Sequence, residues 1–255
     1  MNCIRNFQVA GMNVYNYIDG ALEQKQSLLE ALGIEGQRAV ISVAGAGGKT
    51  STILRLVKEY EHRQSPVAVT TTTHMKVPSE YQLYGTGGED AFFERLKGQK
   101  TAWAGTSCGD GKFSAPDSLF LERILRSKYP VLIEADGAKG MPVKAPARHE
   151  PVILEETEIV LYVFGMDAVG KKIIDVCHRS EMVSALLGKS RESKVLCEDI
   201  AALALDCRGG RKGVKDYMQY HVILNKTEEK NMAYGMKIAG LIRERSNVSC
   251  HLTSY

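Results

Sequence analysis

Short apolar runs alternate with amphipathic stretches along most of this chain. The runs Ala39–Ala44, Pro66–Thr71, Thr101–Ala104, Val131–Ala135, Ile159–Phe164, His221–Leu224 and Val248–Leu252 are rich in β-branched or aromatic residues and predict strands. Between them, Ile53, Leu56, Val57 and Tyr60 fall at i, i+3, i+4 and i+7, one buried helix face. Asp117 or Ser118 can cap a helix carrying Leu121, Ile124 and Leu125, with Pro130 just beyond its end. Ser180 can cap "EMVSALL", with Gly188 as its stop. Leu196, Ile200, Leu203 and Ala204 make another face, and Met232, Met236, Ala239 and Ile242 the last. Ahead of all these, Leu22, Leu28, Leu29 and Leu32 predict a short surface helix in an N-terminal leader of residues 1–36.

Strands alternating with helices predict an α/β fold with a mostly parallel sheet over residues 37–255. Two consecutive helical patterns with no strand between them mark a small helical insertion at about 178–215. The Gly- and Lys-rich "DCRGGRKGVKD" that follows reads as a loop.

Composition narrows the function classes. The chain has 255 residues, 44% hydrophobic and 25% charged, ordinary for a globular protein. Lys+Arg is 33 against Asp+Glu 30, so no global field points to nucleic acid or an anionic membrane. No signal-peptide core and no membrane-length apolar run is present, which makes the cytoplasm the expected location. None of the six cysteines forms a CxxC pair, so reduced thiols are expected rather than a zinc knuckle.

The candidate chemistry begins at "AVISVAGAGGKTSTILRL". Gly45, Ala46, Gly47, Gly48, Lys49, Thr50 and Ser51 lie where a strand turns into a helix, and Gly48-Lys49-Thr50 match the end of G-x-x-x-x-G-K-[ST]. Val43 stands where that pattern has its first glycine. Backbone N–H groups and the helix N-terminus would face phosphate oxygens. Lys49 would reach the β- and γ-phosphates, and Thr50 would offer its hydroxyl to Mg²⁺. A P-loop also needs an acidic residue at a neighbouring strand end. "PVLIEADGAKG" supplies Glu134 and Asp136, one for the metal and the other to polarise a water or substrate. "VAVTTTTHM" adds Thr72, Thr73 and His74 at another strand's carboxyl end. These pieces make the predicted fold a P-loop NTPase-like three-layer domain.

Two further stretches bear on ligands. "DGAKGMPVKAPARHEPV" carries Lys139, Lys144, Arg148 and His149 on a proline-stiffened segment, which reads either as a basic lip for a second anionic ligand or as a solvated charged loop. In "HVILNKTEE", Asn225 and Lys226 end a strand, with Glu228 following. This is similar to the N-K-x-D signature that reads guanine, with Glu in place of Asp. The substitution favours ATP over GTP. The alternative is that Asn225 caps the next helix.

Together "VAGAGGKTST", "TTTTHM" and "EADGAKGMPVKAPARHEPVI" resemble the YqeC family, over about Ala39 to Arg179. The P-loop and threonine strand also resemble those of Mur-type ligases. The resemblance implies an accessory protein of selenium-dependent molybdenum hydroxylases, with a hydroxylase as client. Three readings stay open. One is an NTP-dependent accessory factor. Another is a small-molecule kinase or Mur-like ligase acting on an anionic metabolite. The third is a non-catalytic nucleotide-gated scaffold. The expected cofactors are ATP or GTP with Mg²⁺.

Overall fold

The computed structural model describes residues 13–254, so Cys3 and the start of the leader lie outside it. In chain order the elements are β1 (Asn13–Ile18), β2 (Ala21–Lys25), α1 (Leu28–Ala31), β3 (Val40–Gly45), α2 (Lys49–His62), β4 (Ala68–Thr71), β5 (His74–Lys76), β6 (Leu83–Tyr84), α3 (Glu89–Lys97), β7 (Ala102–Ala104), β8 (Thr106–Gly109), β9 (Lys112–Ser114) and α4 (Ser118–Leu125). They continue with β10 (Val131–Glu134), β11 (Val143–Lys144), β12 (Ile159–Gly165), α5 (Ile173–Val176), β13 (Cys177–His178), α6 (Ser180–Leu187), α7 (Cys197–Leu205), β14 (Gln219–Asn225), α8 (Met232–Arg245) and β15 (Ser249–Ser254).

Ten strands form one sheet in the order β2-β1-β15-β14-β12-β3-β10-β4-β7-β6. Every pairing from β15 to β6 is parallel, and the β1–β2 hairpin is antiparallel to β15 and to itself. The fold is α/β, three-layered and P-loop NTPase-like. Side-chain alternation sorts the layers. Ile41 and Val43 of β3, Leu132 of β10 and Leu161 of β12 face α1 and α2, meeting Ile53, Leu56 and Val57. On the other face, Val131 and Ile133 meet Phe92 and Leu96 of α3 and Phe120 and Ile124 of α4. Further along that face, Val160, Tyr162 and Val222 meet α7 and α8. Each such buried side chain contributes on the order of 1.5–3 kcal/mol of transfer free energy. The central strands, buried on both faces, read as continuous apolar runs for that reason.

The leader differs from its predicted helix. Leu22 lies in β2, and only α1 is helical, with Leu28, Leu29 and Leu32 buried. The hairpin turns at Asp19 and Gly20, both at positive φ (46° and 93°), a pairing suited to tight two-residue hairpins. Glu59 of α2, fully buried, accepts from the Leu28 and Leu29 backbone N–H groups at 2.8 and 2.9 Å and pairs with Arg55, so α1 is capped by another helix. The helices α6 and α7 follow each other without an intervening strand, as the pattern predicts. Arg179, in the left-handed region, precedes α6, and Ser180 is its first residue. Among the described residues no helix is long and apolar enough to cross a membrane.

Candidate functional site

The carboxyl ends of β3, β10, β4 and β14 converge on one edge of the sheet, because parallel strands end together and their loops share that edge. The turn between β3 and α2 needs glycine for close approach. A Cβ on Gly47 would lie 2.3 Å from the Gly165 backbone nitrogen, and one on Gly48 would lie 1.9 Å from the Asn225 amide. Both residues have positive φ (78° and 139°).

The loop's N–H groups divide into two sets. Gly45 donates to Asp136 Oδ2 at 3.1 Å, Ala46 to the Val163 carbonyl at 2.8 Å and Gly47 to the Met141 carbonyl at 2.9 Å. These three hold the loop in shape. The first helical bond runs from Thr52 N–H to the Gly48 carbonyl, so the N–H groups of Gly48, Lys49, Thr50 and Ser51 are the ones the helix leaves for an anion.

The side chains at this point sort by burial. Lys49 is 7% exposed, and its ammonium donates to the Gly45 carbonyl at 3.0 Å and lies 3.3 Å from Asp136 Oδ1. Thr50 donates its hydroxyl to Glu134 Oε2 at 2.9 Å. Burial pushes the Glu134 carboxyl above the usual carboxylate range, with the Lys49 charge and the Thr50 hydroxyl opposing. Asp136 is fully buried, and Lys144 donates to its Oδ2 at 2.9 Å. Asp136 Oδ2 thus accepts from the loop and from Lys144, while Oδ1 has no hydrogen-bond partner among the described residues and only the Lys49 charge beside it.

Lys144 corrects the reading of a basic lip. Its side chain is fully buried and also donates to the Gly137 carbonyl at 2.6 Å and to Glu150 Oε2 at 2.7 Å. Arg179 takes Glu150 in a bidentate grip at 2.8 and 3.1 Å. Burial would raise the Glu150 carboxyl, but the hydrogen bonds and charges of Arg179 and Lys144 outweigh it and hold it at about 2. Lys144 and Glu150 of this stretch thus form an internal network with Asp136 and Arg179, in which each buried charge has an opposite partner that offsets its desolvation.

The predicted ligand residues separate accordingly. Thr73, His74 and Lys139 line an open cleft of about 550 Å³ together with Gly47, Gly48, Lys49, Thr50, Ser51, Glu134 and Lys226. Thr72 donates to the Val152 carbonyl at 3.0 Å instead. Arg148 lines a different groove beside Met182 and Leu186, and His149 is exposed on the same turn. Asn225 is buried beneath the loop; its amide donates to the Gly47 carbonyl at 2.9 Å and accepts from Thr253 at 3.1 Å. Lys226, at positive φ (61°), reaches Asp167 at 2.9 Å. Glu228 accepts from the Asn231 N–H and pairs with Lys230 at 2.6 Å, starting the helical turn that leads into α8. Sequence reasoning missed Lys112 of β9, which lines the cleft from a strand too short to register as apolar. Among the described residues no group of three or more His, Cys, Asp or Glu could hold a metal, so His74, His149 and His178 do not converge on one.

No solved structure matches the chain. A relative in Escherichia coli (strain K12), "Uncharacterized protein YqeC", is 29% identical over 194 residues, which cover 74% of this chain and 76% of the relative. The profile of the family described as "YqeC protein" matches residues 41–181, the span that contains the P-loop, the threonine strand, Glu134, Asp136 and the buried Lys144–Glu150–Arg179 network, and the chain belongs to that family.

Proposed function

We propose that this chain binds a Mg²⁺–nucleoside triphosphate, ATP in preference to GTP, at the start of α2 and serves as an NTP-dependent accessory factor in the maturation of selenium-dependent molybdenum hydroxylases. One observation carries the nucleotide part. A helix N-terminus with four available N–H groups, Lys49, the Thr50 hydroxyl and a buried Glu134 carboxyl share a single cleft. The maturation role is supported by the resemblance carried by residues 134–153.

The residues present fit Mg²⁺. Thr50 and Glu134 offer hard oxygens side by side, and a carboxyl raised by burial is one that a cation would stabilise. A magnesium ion keeps several waters and needs only one or two protein ligands, in accord with the absence of a larger acidic cluster among the described residues. When bound, the ion supplies charge neutralisation at phosphate oxygens. Asp136 holds the loop and Lys144 through Oδ2, and its Oδ1, which has no hydrogen-bond partner among the described residues, stands beside Lys49. Lys49 is held ready at the helix start by the Gly45 carbonyl and Asp136. The preference for ATP is supported by Glu228, whose carboxylate is spent on Asn231 and Lys230 and not turned to a guanine edge.

A second reading, phosphoryl or ligase-type transfer to an anionic metabolite, is favoured by His74, Lys112 and Lys139, which line the same cleft and have no carboxylate partner among the described residues. The experiment for the nucleotide site is Mg²⁺–ATP binding to Lys49→Ala. A loss of at least tenfold, about 1.4 kcal/mol, is expected with the fold intact. Unchanged affinity in a folded Lys49→Ala protein would sink the P-loop reading. Hydrolysis stimulated by a hydroxylase client supports the accessory role, and hydrolysis stimulated only by a small metabolite supports transfer.

A further inference from the structure

The cations around the cleft fall into two classes. On the P-loop side, Lys49 is matched by Asp136 and Lys226 by Asp167. The second class, His74 of β5, Lys112 of β9 and Lys139 of the turn after β10, lines the same space. All three are exposed, and among the described residues none has an ion-pair or hydrogen-bond partner for its side chain.

The small antiparallel sheet β5-β9-β8 carries His74 and Lys112. Its register places Met75 opposite Phe113, both buried, so His74, Lys76 and Lys112 share the opposite, exposed face. Lys76 lies directly across from Lys112. Like charges directly opposed on neighbouring strands repel, and among the described residues no carboxylate pairs with either. Lys139 adds a second cost, because it sits at φ +47° between Gly137 and Gly140, where a glycine would be unstrained. Two local penalties at one rim, each concentrating positive charge, indicate a place where an anion completes the structure.

We propose that His74, Lys112 and Lys139 form a second-substrate site for a small polyanion bearing carboxylate or phosphate groups, held in the same cleft as the P-loop, with Thr73 as a neutral donor between them. The site rests on the nucleotide reading for its neighbour but not for its charge.

The test uses inorganic phosphate and malonate as probes, titrated calorimetrically at fixed ionic strength into the full chain saturated with Mg²⁺ and a non-hydrolysable ATP analogue. Saturable binding at one site is expected, and Lys112→Gln and Lys139→Gln should each weaken it at least tenfold while analogue affinity stays within twofold. The tighter of the two probes tells phosphate from carboxylate. Lys112→Gln should also raise the thermal midpoint of the anion-free protein, because it removes the repulsion with Lys76. If neither probe saturates, or both variants bind as wild type, the proposal is overturned. It is equally overturned if the variants lose analogue affinity tenfold, since these residues would then belong to the nucleotide's own phosphates. If the wild type binds no analogue, the nucleotide reading fails. A Lys112-dependent phosphate site in the nucleotide-free protein would then still stand.

Discussion

Replacing Lys144 with methionine keeps the apolar stem and removes the ammonium. That ammonium is fully buried and donates to Asp136 Oδ2, Glu150 Oε2 and the Gly137 carbonyl. Removing one partner of a buried ion pair costs about 3–5 kcal/mol when the other charge is left alone. Here neither acid is left alone, because Asp136 keeps Lys49 at 3.3 Å and Glu150 keeps its bidentate Arg179. The low end applies, so Lys144→Met should lose about 3 kcal/mol. For a chain of this size that corresponds to a fall of roughly 6–12 °C in thermal midpoint. Urea unfolding followed by circular dichroism, with the slope m checked for constancy, measures it. A loss below about 1 kcal/mol would show that Lys144 is solvated in the protein, and the network that ties residue 136 to residue 179 would have to be abandoned.

Other expectations follow from the same geometry. Glu134→Gln should leave nucleotide binding in EDTA within twofold of wild type and abolish most of its enhancement by Mg²⁺; equal enhancement in both proteins would move the metal elsewhere. Asn225→Ala frees the Gly47 carbonyl and should weaken ATP and GTP alike without changing their ratio, and a changed ratio in competition binding would return Asn225 to the base pocket. His221, buried against His251 at 2.9 Å, is pushed by burial down to about 4. The unfolded chain, near 6.5, takes up a proton that the folded chain refuses, so stability is whole above pH 6.5 and falls toward pH 4 by roughly 3 kcal/mol in total. Glu134, raised by burial, acts in the opposite sense, so the readout is the difference between wild type and His221→Gln; identical pH slopes would refute it.

The central strands of the sheet were legible because burial on both faces makes them read as apolar runs, and the outer strands β4 and β15 through their β-branched and apolar residues. The hairpin at the sheet's edge was not. Its residues Asn13–Ile18 and Ala21–Lys25 are half-exposed and polar, and four leucines nearby suggested a helix. The Asp19-Gly20 pair was the available signal. The cleft was legible in part for a related reason. Gly48-Lys49-Thr50 and Glu134 announce themselves by local pattern, but the burial of Lys144 depends on Glu150 and on Arg179, which is 29 residues further on. A one-dimensional run of charges looks alike whether it faces water or an internal partner. Lys112 was missed for the converse reason, since its strand has three residues and nothing in it but position gives it a role.

The absent first glycine of the P-loop pattern has a structural consequence. Val43 is fully buried in the layer beneath α2, within a strand that runs on to Gly45. The turn therefore starts later than the full pattern would place it, and it is shorter. Its first three N–H groups go to Asp136, Val163 and Met141 instead of to a ligand. The shortened turn leaves the helix start as its open part, with Lys49 and Glu134 in the same cleft. Asp136 makes the arrangement possible by taking the Gly45 N–H and standing beside Lys49, with Lys144 behind it preventing the aspartate from turning outward. The two acids at the end of β10 thus divide by depth, Asp136 building the loop from below and Glu134 meeting what binds above it.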